Sequence, residues 1–499
     1  MVPSSFETLA AVDLGSNSFR LQIVRVDGEQ FFPLDTLKDT VRLGAGLTAD
    51  NYLDDATQQR ALTCLARFGD RLRHFSPDQV RVVGTNTLRV AKNSAAFIRE
   101  AEARLGFPIE IIAGREEARL IYIGAAHSLP AGKEKRLVVD IGGGSTEFII
   151  GSGMKPQKTE SLGLGCVTYS LRYFPDGKLT KANFKNAELA ARNEIQRIAH
   201  EYTRDQWQLA IGTSGTARSL RDILELNDYS PDGITRAGME QLKAELLRCG
   251  SMDAVDLNGL RADRAPVLPG GLAIMLAVFE ELQVETMTVT LGALRDGVLY
   301  DMLGRQYHKD LRDVTVTQFK RRYHVDTGQA ERVTGLARQF YAQLAGSEAM
   351  ANPEIPRQLE WAAKLHEIGL MISHSGYHKH SAYIVEQADM PGFSRREQRQ
   401  IAHLVLAHKG SLNKMVPLLS DQPAYWPAVL ALRLAVLLCR SRRPVDLPPT
   451  LHLSNNGQGF SLMVSAEWLN HNPLTAGALK QEEDPWRSTG LTLSIQQQA

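Results

Sequence analysis

Apolar positions in the first three hundred residues come as short runs that alternate with stretches of helical spacing. Gln79 to Thr85 reads as a strand, and Ser94 to Leu105 repeats apolar residues every three or four positions. Such alternation predicts an α/β architecture. One pattern occurs twice. Around Ala11 to Ser18, and again around Val138 to Thr146, an apolar run ends in Asp-x-Gly and turns through small polar residues. Apolar character then resumes, over Leu21 to Val26 and Phe148 to Ile150. Each reads as a β-hairpin, one in each half of a duplicated fold.

A further strand pattern, Met287 to Thr290, leads into Leu291 to Tyr300, and the α/β pattern ends near Gln306. From Val314 the spacing is mostly helical, with amphipathic stretches at Ala330 to Leu344, Leu359 to Leu370 and Pro427 to Leu438. β-type pattern returns around Leu451 and at Leu491 to Ile495. The most apolar stretches, Gly270 to Phe279 and Ala428 to Cys439, are shorter than a bilayer span, and Arg433 interrupts the second. Buried helices are the expectation there.

Composition narrows the class. With 499 residues, 43% apolar and 23% charged, the chain suits two to four globular domains and is too apolar for disorder. Lysine plus arginine number 57 against 56 acidic residues, so no global field gathers a polyanion, and any anion must be held locally. Neither nucleic acid nor a membrane is expected as a partner. Cys64, Cys166, Cys249 and Cys439 form no Cys-x-x-Cys pair, which suggests a reducing compartment. The N-terminus lacks a basic segment followed by an apolar core, so a cytoplasmic location is expected.

The segment Asp140-Ile141-Gly142-Gly143-Gly144-Ser145-Thr146-Glu147 carries the most chemical information. Its glycines let the backbone approach an anion and aim N–H groups at it, and the hydroxyls of Ser145 and Thr146 add donors. A carboxylate at the strand end, Asp140, suits a magnesium ion that neutralises phosphate charge. Taken alone the segment also reads as an ordinary glycine-rich turn. The companion Asp13-Leu14-Gly15-Ser16-Asn17-Ser18 has the same parts, with Asp13 as a second metal candidate. Together they predict two phosphate-binding turns facing a cleft. A third turn with Gly212, Ser214 and Gly215 would complete it.

These segments, with Gly84 to Arg89 and Gly114 to Leu120, resemble the exopolyphosphatase and guanosine pentaphosphate phosphatase family in order and spacing. His366-Glu367-Ile368-Gly369 and His374 to Tyr383 look like its long bacterial form. The resemblance implies duplicated actin, sugar-kinase and Hsp70-like (ribonuclease H-like) domains over 1–124 and 125–306. A helical HD-like domain over 307–470 and a small segment over 471–499 would follow. The implied activity is exopolyphosphatase, with guanosine pentaphosphate 5′-phosphohydrolase as the alternative and an ATP-dependent kinase or chaperone-like switch as the remoter one.

The resemblance further implies Glu117 as the residue that orients or deprotonates water, Glu147 as its assistant, and Arg89 as a stabiliser of phosphate charge. It implies Mg2+ or another divalent cation, a monovalent cation such as K+, and a homodimer. Glu367 stands where HD phosphohydrolases have aspartate, and no histidine lies between Val325 and Leu365. A second metal centre is therefore not expected. The basic residues His378, Lys379, His380, Arg395, Arg396 and Lys409 are instead expected to grip the distal part of a polyphosphate chain.

Overall fold

The computed structural model of the chain describes residues 8–28, 30–130, 132–306, 310–345 and 354–498. It divides into two compact units, Met1–Asp310 and Leu311–Ala499.

Strands β1 (Thr8–Leu14), β2 (Phe19–Asp27), β3 (Gln30–Asp39), β4 (Val80–Gly84) and β5 (Ile109–Ile111) form one sheet in the order β3-β2-β1-β4-β5. β1 runs antiparallel to β2 and parallel to β4. A second sheet contains β6 (Lys135–Ile141), β7 (Thr146–Ser152), β8 (Lys155–Leu162), β9 (Leu209–Thr213), β10 (Ile234–Thr235) and β11 (Thr286–Val289), in the order β10-β11-β9-β6-β7-β8. β6 is antiparallel to β7 and parallel to β9, so β8-β7-β6-β9-β11 repeats the first sheet. In register terms Asp13 opposes Arg20 where Asp140 opposes Glu147.

Period-two alternation places each central strand between two cores. Ala10, Val12 and Leu14 of β1 enter an outer core with helix α1 (Asp55–Leu72), whereas Leu9 and Ala11 face the middle. Leu137, Val139 and Ile141 of β6 likewise enter an outer core, and Val138 turns to the middle. That middle layer is filled by α4 (Gly114–His127) and α10 (Leu294–Gln306). The two helices pack backbone to backbone. A methyl group on Gly124 would lie 2.1 Å from the Ala293 carbonyl, and one on Gly297 would lie 1.8 Å from that of Leu120. Asp301 of α10 pins this layer, accepting from Arg81 of β4 at 2.7 Å and Arg119 of α4 at 2.6 Å. Helix α4 runs through residues 124 and 125, so the boundary expected there falls inside an element.

The second unit is mainly helical, and its core is built on Thr327–Ala345, Glu354–Leu365, Tyr377–Gln387, Arg395–Ala407 and Trp426–Leu438. The pattern expected to be one helix over Leu359 to Leu370 breaks after Leu365 and resumes as a short 3-10 turn, Ile368–Met371. The last residues are not a separate segment. Strand β14 (Thr492–Gln498) runs parallel to β13 (Gly459–Ser465), which pairs with β12 (His452–Asn455), and Trp486 is fully buried in the same core. By length and composition Pro423–Ser441 could cross a membrane, because short 3-10 turns extend the apolar helix at both ends. Its buried Arg433 is held by Glu482 and by the carbonyls of Ala407 and Gly410.

Candidate active site

The two Asp-x-Gly turns meet in the first unit around a cavity of about 120 Å³. Gly15, Ser16, Asn17 and Ser18 line it from one side, and Gly142, Gly143, Gly144 and Ser145 from the other. Little room is left where the turns touch. A methyl group on Gly143 would sit 3.0 Å from the Asn17 nitrogen, and one on Gly144 2.9 Å from Ser16 Oγ. Asn86 completes the contact by donating to the Gly144 carbonyl at 3.0 Å.

Both turns commit their carbonyls elsewhere. Those of Ser16 and Asn17 accept from the N–H groups of Gly44 and Arg42, and those of Gly142 and Gly143 accept from Cys166 and Val167. The latter residues open helix α5 (Cys166–Tyr173). With these carbonyls spent, and the Gly142 N–H donated to the Ser145 carbonyl, the remaining turn N–H groups are the backbone polarity left for an anion. Ser214 and Gly215, at the start of helix α7 (Ser214–Leu226), add the positive end of a helix dipole to the same wall. Ser214 holds φ 72° there, and its hydroxyl donates to the Ile141 carbonyl at 3.1 Å.

Asp13, Glu117, Asp140 and Glu147 all face this cavity. Burial pushes Asp13 up to about 6 against the pull of Arg295 and Arg20, and pushes Asp140 up to about 7. Glu147 is raised well above the usual carboxylate range, first by burial and then by Glu117 and Asp140. Its Oε1 accepts from Ser161 at 2.8 Å. Glu116 and Glu117 have parted roles. Glu116 is locked to Arg119 at 2.7 and 2.8 Å, whereas Glu117 Oε2 accepts from Arg89 at 2.7 Å and its carboxylate reaches the cavity.

Three expected site residues lie outside the wall. Arg89 spends its guanidinium on Glu117 and on the Ile112 carbonyl, so it meets the glutamate and not the cavity. The hydroxyl of Thr146 is fully buried and donates to the Leu164 carbonyl. Gly212 lies within β9, where a methyl group would strike Ala217 and Met287, so it serves packing.

Sequence reasoning missed four arginines in the wall, namely Arg20, Arg218, Arg264 and Arg295. The mutual repulsion of this group and its burial lower Arg20 to about 10, burial being the larger cause. Among the described residues none of the four forms an ion pair with a carboxylate. The signal for Arg20 was present in the duplication, since it occupies the position of Glu147 in the other hairpin.

The carboxylates test whether the site suits a divalent cation. Asp140 is buried and Asp13 half-buried, both carboxyls are raised chiefly by burial, and Mg2+ is commonly held by one or two carboxylates plus substrate phosphates. The residues fit it. Among the described residues no group of three or more His, Cys, Asp or Glu is arranged to hold a metal.

In the second unit, Arg395 donates to the Glu386 carbonyl, Arg396 also has a partner, and His378 is buried and lowered to about 4 by desolvation and nearby lysines. His378 is therefore neutral at pH 7, against the expectation of a basic group. Lys379 and Lys409 stay unpaired among the described residues, near Lys414, while His380 is half-buried. Glu367 is held by Arg442 at 2.6 Å.

Residues 22–306 match the model of the Ppx/GppA phosphatase family, and residues 311–483 match that of Ppx/GppA phosphatase domain III. Among solved structures, an exopolyphosphatase from Cytophaga hutchinsonii is 22% identical with a TM-score of 0.54. The match covers 60% of this chain and 98% of that one. An exopolyphosphatase-like protein is 24% identical with the same TM-score and the same coverage of both chains. At that identity the likeness concerns the fold.

Proposed function

Because the chain belongs to the Ppx/GppA phosphatase family, we propose that it is an exopolyphosphatase removing the terminal phosphate of inorganic polyphosphate. The observation that carries the reading is the pairing, in one cavity, of two anion-binding turns and four unpaired arginines with a glutamate held for water. The repeated sheets and their hairpins are read as the actin, sugar-kinase and Hsp70-like fold.

Hydrolysis of a phosphoanhydride needs the phosphoryl group positioned, its charge spread, and a water in line with the leaving oxygen. The turn N–H groups and the α7 N-terminus bind the terminal phosphate. Glu117 accepts a proton from, or aligns, the attacking water through the carboxylate oxygen that Arg89 does not occupy. Arg89 is then a positioning residue. Arg295, Arg218 and Arg20 lie where charge developing on phosphate oxygens can be met by guanidinium groups. Asp13 and Asp140 would hold a divalent cation, which when bound would neutralise phosphate oxygens. Lys379 and Lys409 of the second unit are read as holding more distant parts of a long chain.

The test is phosphate release by purified protein from long polyphosphate and, separately, from guanosine pentaphosphate, with ATP as a third arm. Faster release from polyphosphate is expected. Preference for guanosine pentaphosphate would move the activity to the family's other substrate, and turnover of ATP alone would overturn the reading.

A further inference from the structure

The cavity wall carries both acidic and basic side chains. Glu147 feels Glu117 and Asp140 as like charges, while Arg295 and Arg20 pull on Asp13. Arg20 has Arg295, Arg218 and Arg264 as like-charged neighbours, so these arginines form a cationic group in the wall. Lys38 stands beside that group, outside the cavity lining. It faces Arg20 directly across the β2–β3 ladder, and directly opposed residues project from the same face of a sheet. Like charges so placed repel, so the fold gains nothing by setting two cations side by side.

The positive charge of Lys38 is met from the other sheet's side of the cavity. Asp263, in the loop before helix α9 (Leu268–Glu281), reaches Lys38 Nζ with Oδ2 at 2.6 Å. The next residue, Arg264, turns into the cavity wall and presses against Gly215, where a methyl group would lie 1.7 Å from a guanidinium nitrogen. One short loop thus supplies a cavity arginine and the anion that quiets Lys38. Arg261 also contacts Asp263, at 3.2 Å, so the carboxylate has a second partner to keep when Lys38 lets go.

We propose that Lys38 is a phosphate-binding residue for the chain beyond the cleaved group, and that Asp263 occupies its ammonium until a substrate phosphate displaces it. The inference rests on the reading of the cavity as a polyanion hydrolase and adds a specificity-determining pair to it. Both side chains are about a quarter exposed, 28% and 26%, and an ion pair so placed is held weakly enough for a phosphate oxygen to compete. Chains long enough to reach past Arg20 gain the lysine, and shorter ones leave it paired.

Binding of long inorganic polyphosphate can be measured on the catalytically slowed Glu117→Gln protein, with Lys38→Met, Asp263→Asn and the double variant added. Asp263→Asn should tighten binding by roughly 3- to 10-fold, and Lys38→Met should weaken it by a similar factor. The double variant should bind like Lys38→Met alone, because Asp263 acts only through the lysine. Changes in the same direction would show a latch between the two sides and overturn the proposal. Strictly additive effects would show general electrostatics, and unchanged affinities would show a surface pair; each would also overturn it. Binding read apart from turnover keeps the outcomes separate. If these signs appear in a protein whose wild type releases no phosphate from polyphosphate, the proposed reaction fails and the Lys38 site stands.

Discussion

At the scale of single residues, the geometry separates groups that sequence spacing could not. Glu116 and Glu117 are adjacent, yet one is spent on Arg119 and the other looks into the cavity with Arg89 behind it. Glu117→Gln should keep the fold and polyphosphate affinity while lowering kcat on the order of a hundredfold or more, since shape survives and the carboxylate does not. Near-normal steady-state turnover would remove Glu117 from the reaction. If Arg89 acts through Glu117, adding Arg89→Met to that variant should cost little more, because residues acting as a unit are not additive.

Asp140 gives a second prediction at this scale. Its carboxyl, 6% exposed, is held up near 7 by burial, with Glu117 and Asp13 adding and Ser214 opposing. In the unfolded chain it ionises near 3.8. Below about pH 4 it is protonated in both states and costs nothing. Between about 4 and 7 the unfolded chain sheds the proton first, so stability falls, and above 7 the penalty is complete. At about 1.4 kcal/mol per unit this amounts to a few kcal/mol at most. In EDTA, Asp140→Asn should therefore raise Tm relative to wild type at pH 8 but not at pH 4, and its activity should need more Mg2+. Equal Tm differences at both pH values would show that the acid is not a source of strain.

At the scale of elements, the hairpins were legible because strand alternation and Asp-x-Gly leave a local trace. The arginines were not, because Arg218, Arg264 and Arg295 arrive from α7, a loop and the start of α10, which only the fold brings together. Gly212 looked like part of the third turn in sequence but lies one register step inside β9, where packing decides. The tight seat of the second hairpin leaves no trace in the sequence either. Gly165 lies so close that a methyl group would be 2.1 Å from the Gly143 carbonyl, which is backbone and cannot swing away, while Gly163 faces open space. Gly165→Ala should displace the phosphate turn, lowering activity at least tenfold and stability by about 1–3 kcal/mol. Gly163→Ala should do neither. Activity assays beside thermal melts distinguish the two, and equal behaviour would mean the hairpin is not seated by this contact.

At the scale of the whole molecule, two units with separate cores divide the chemistry. The first holds the cavity. In the second, expected basic groups sort into spent and free once their partners are seen: Arg395 caps a carbonyl and His378 is neutral, but Lys379 and Lys409 have no ion pair among the described residues. Lys414 joins them, lowered to about 8 by burial and by Lys379, and Lys409 rests over the Tyr377 ring at 4.7 Å. Lys379, Lys409 and Lys414 all act on His378, so the three ammonium groups are close enough to repel each other, and a polyanion bound there would relieve that repulsion. Replacing Lys379, Lys409 and Lys414 by glutamine should raise KM for long polyphosphate several-fold and flatten its dependence on salt, since fewer counterions exchange on binding. Replacing Arg395 and Arg396, which already have partners, should change that KM less. A KM for long chains that stays at the wild-type value across ionic strengths would return these lysines to solvated surface and leave the first unit to select its substrate alone.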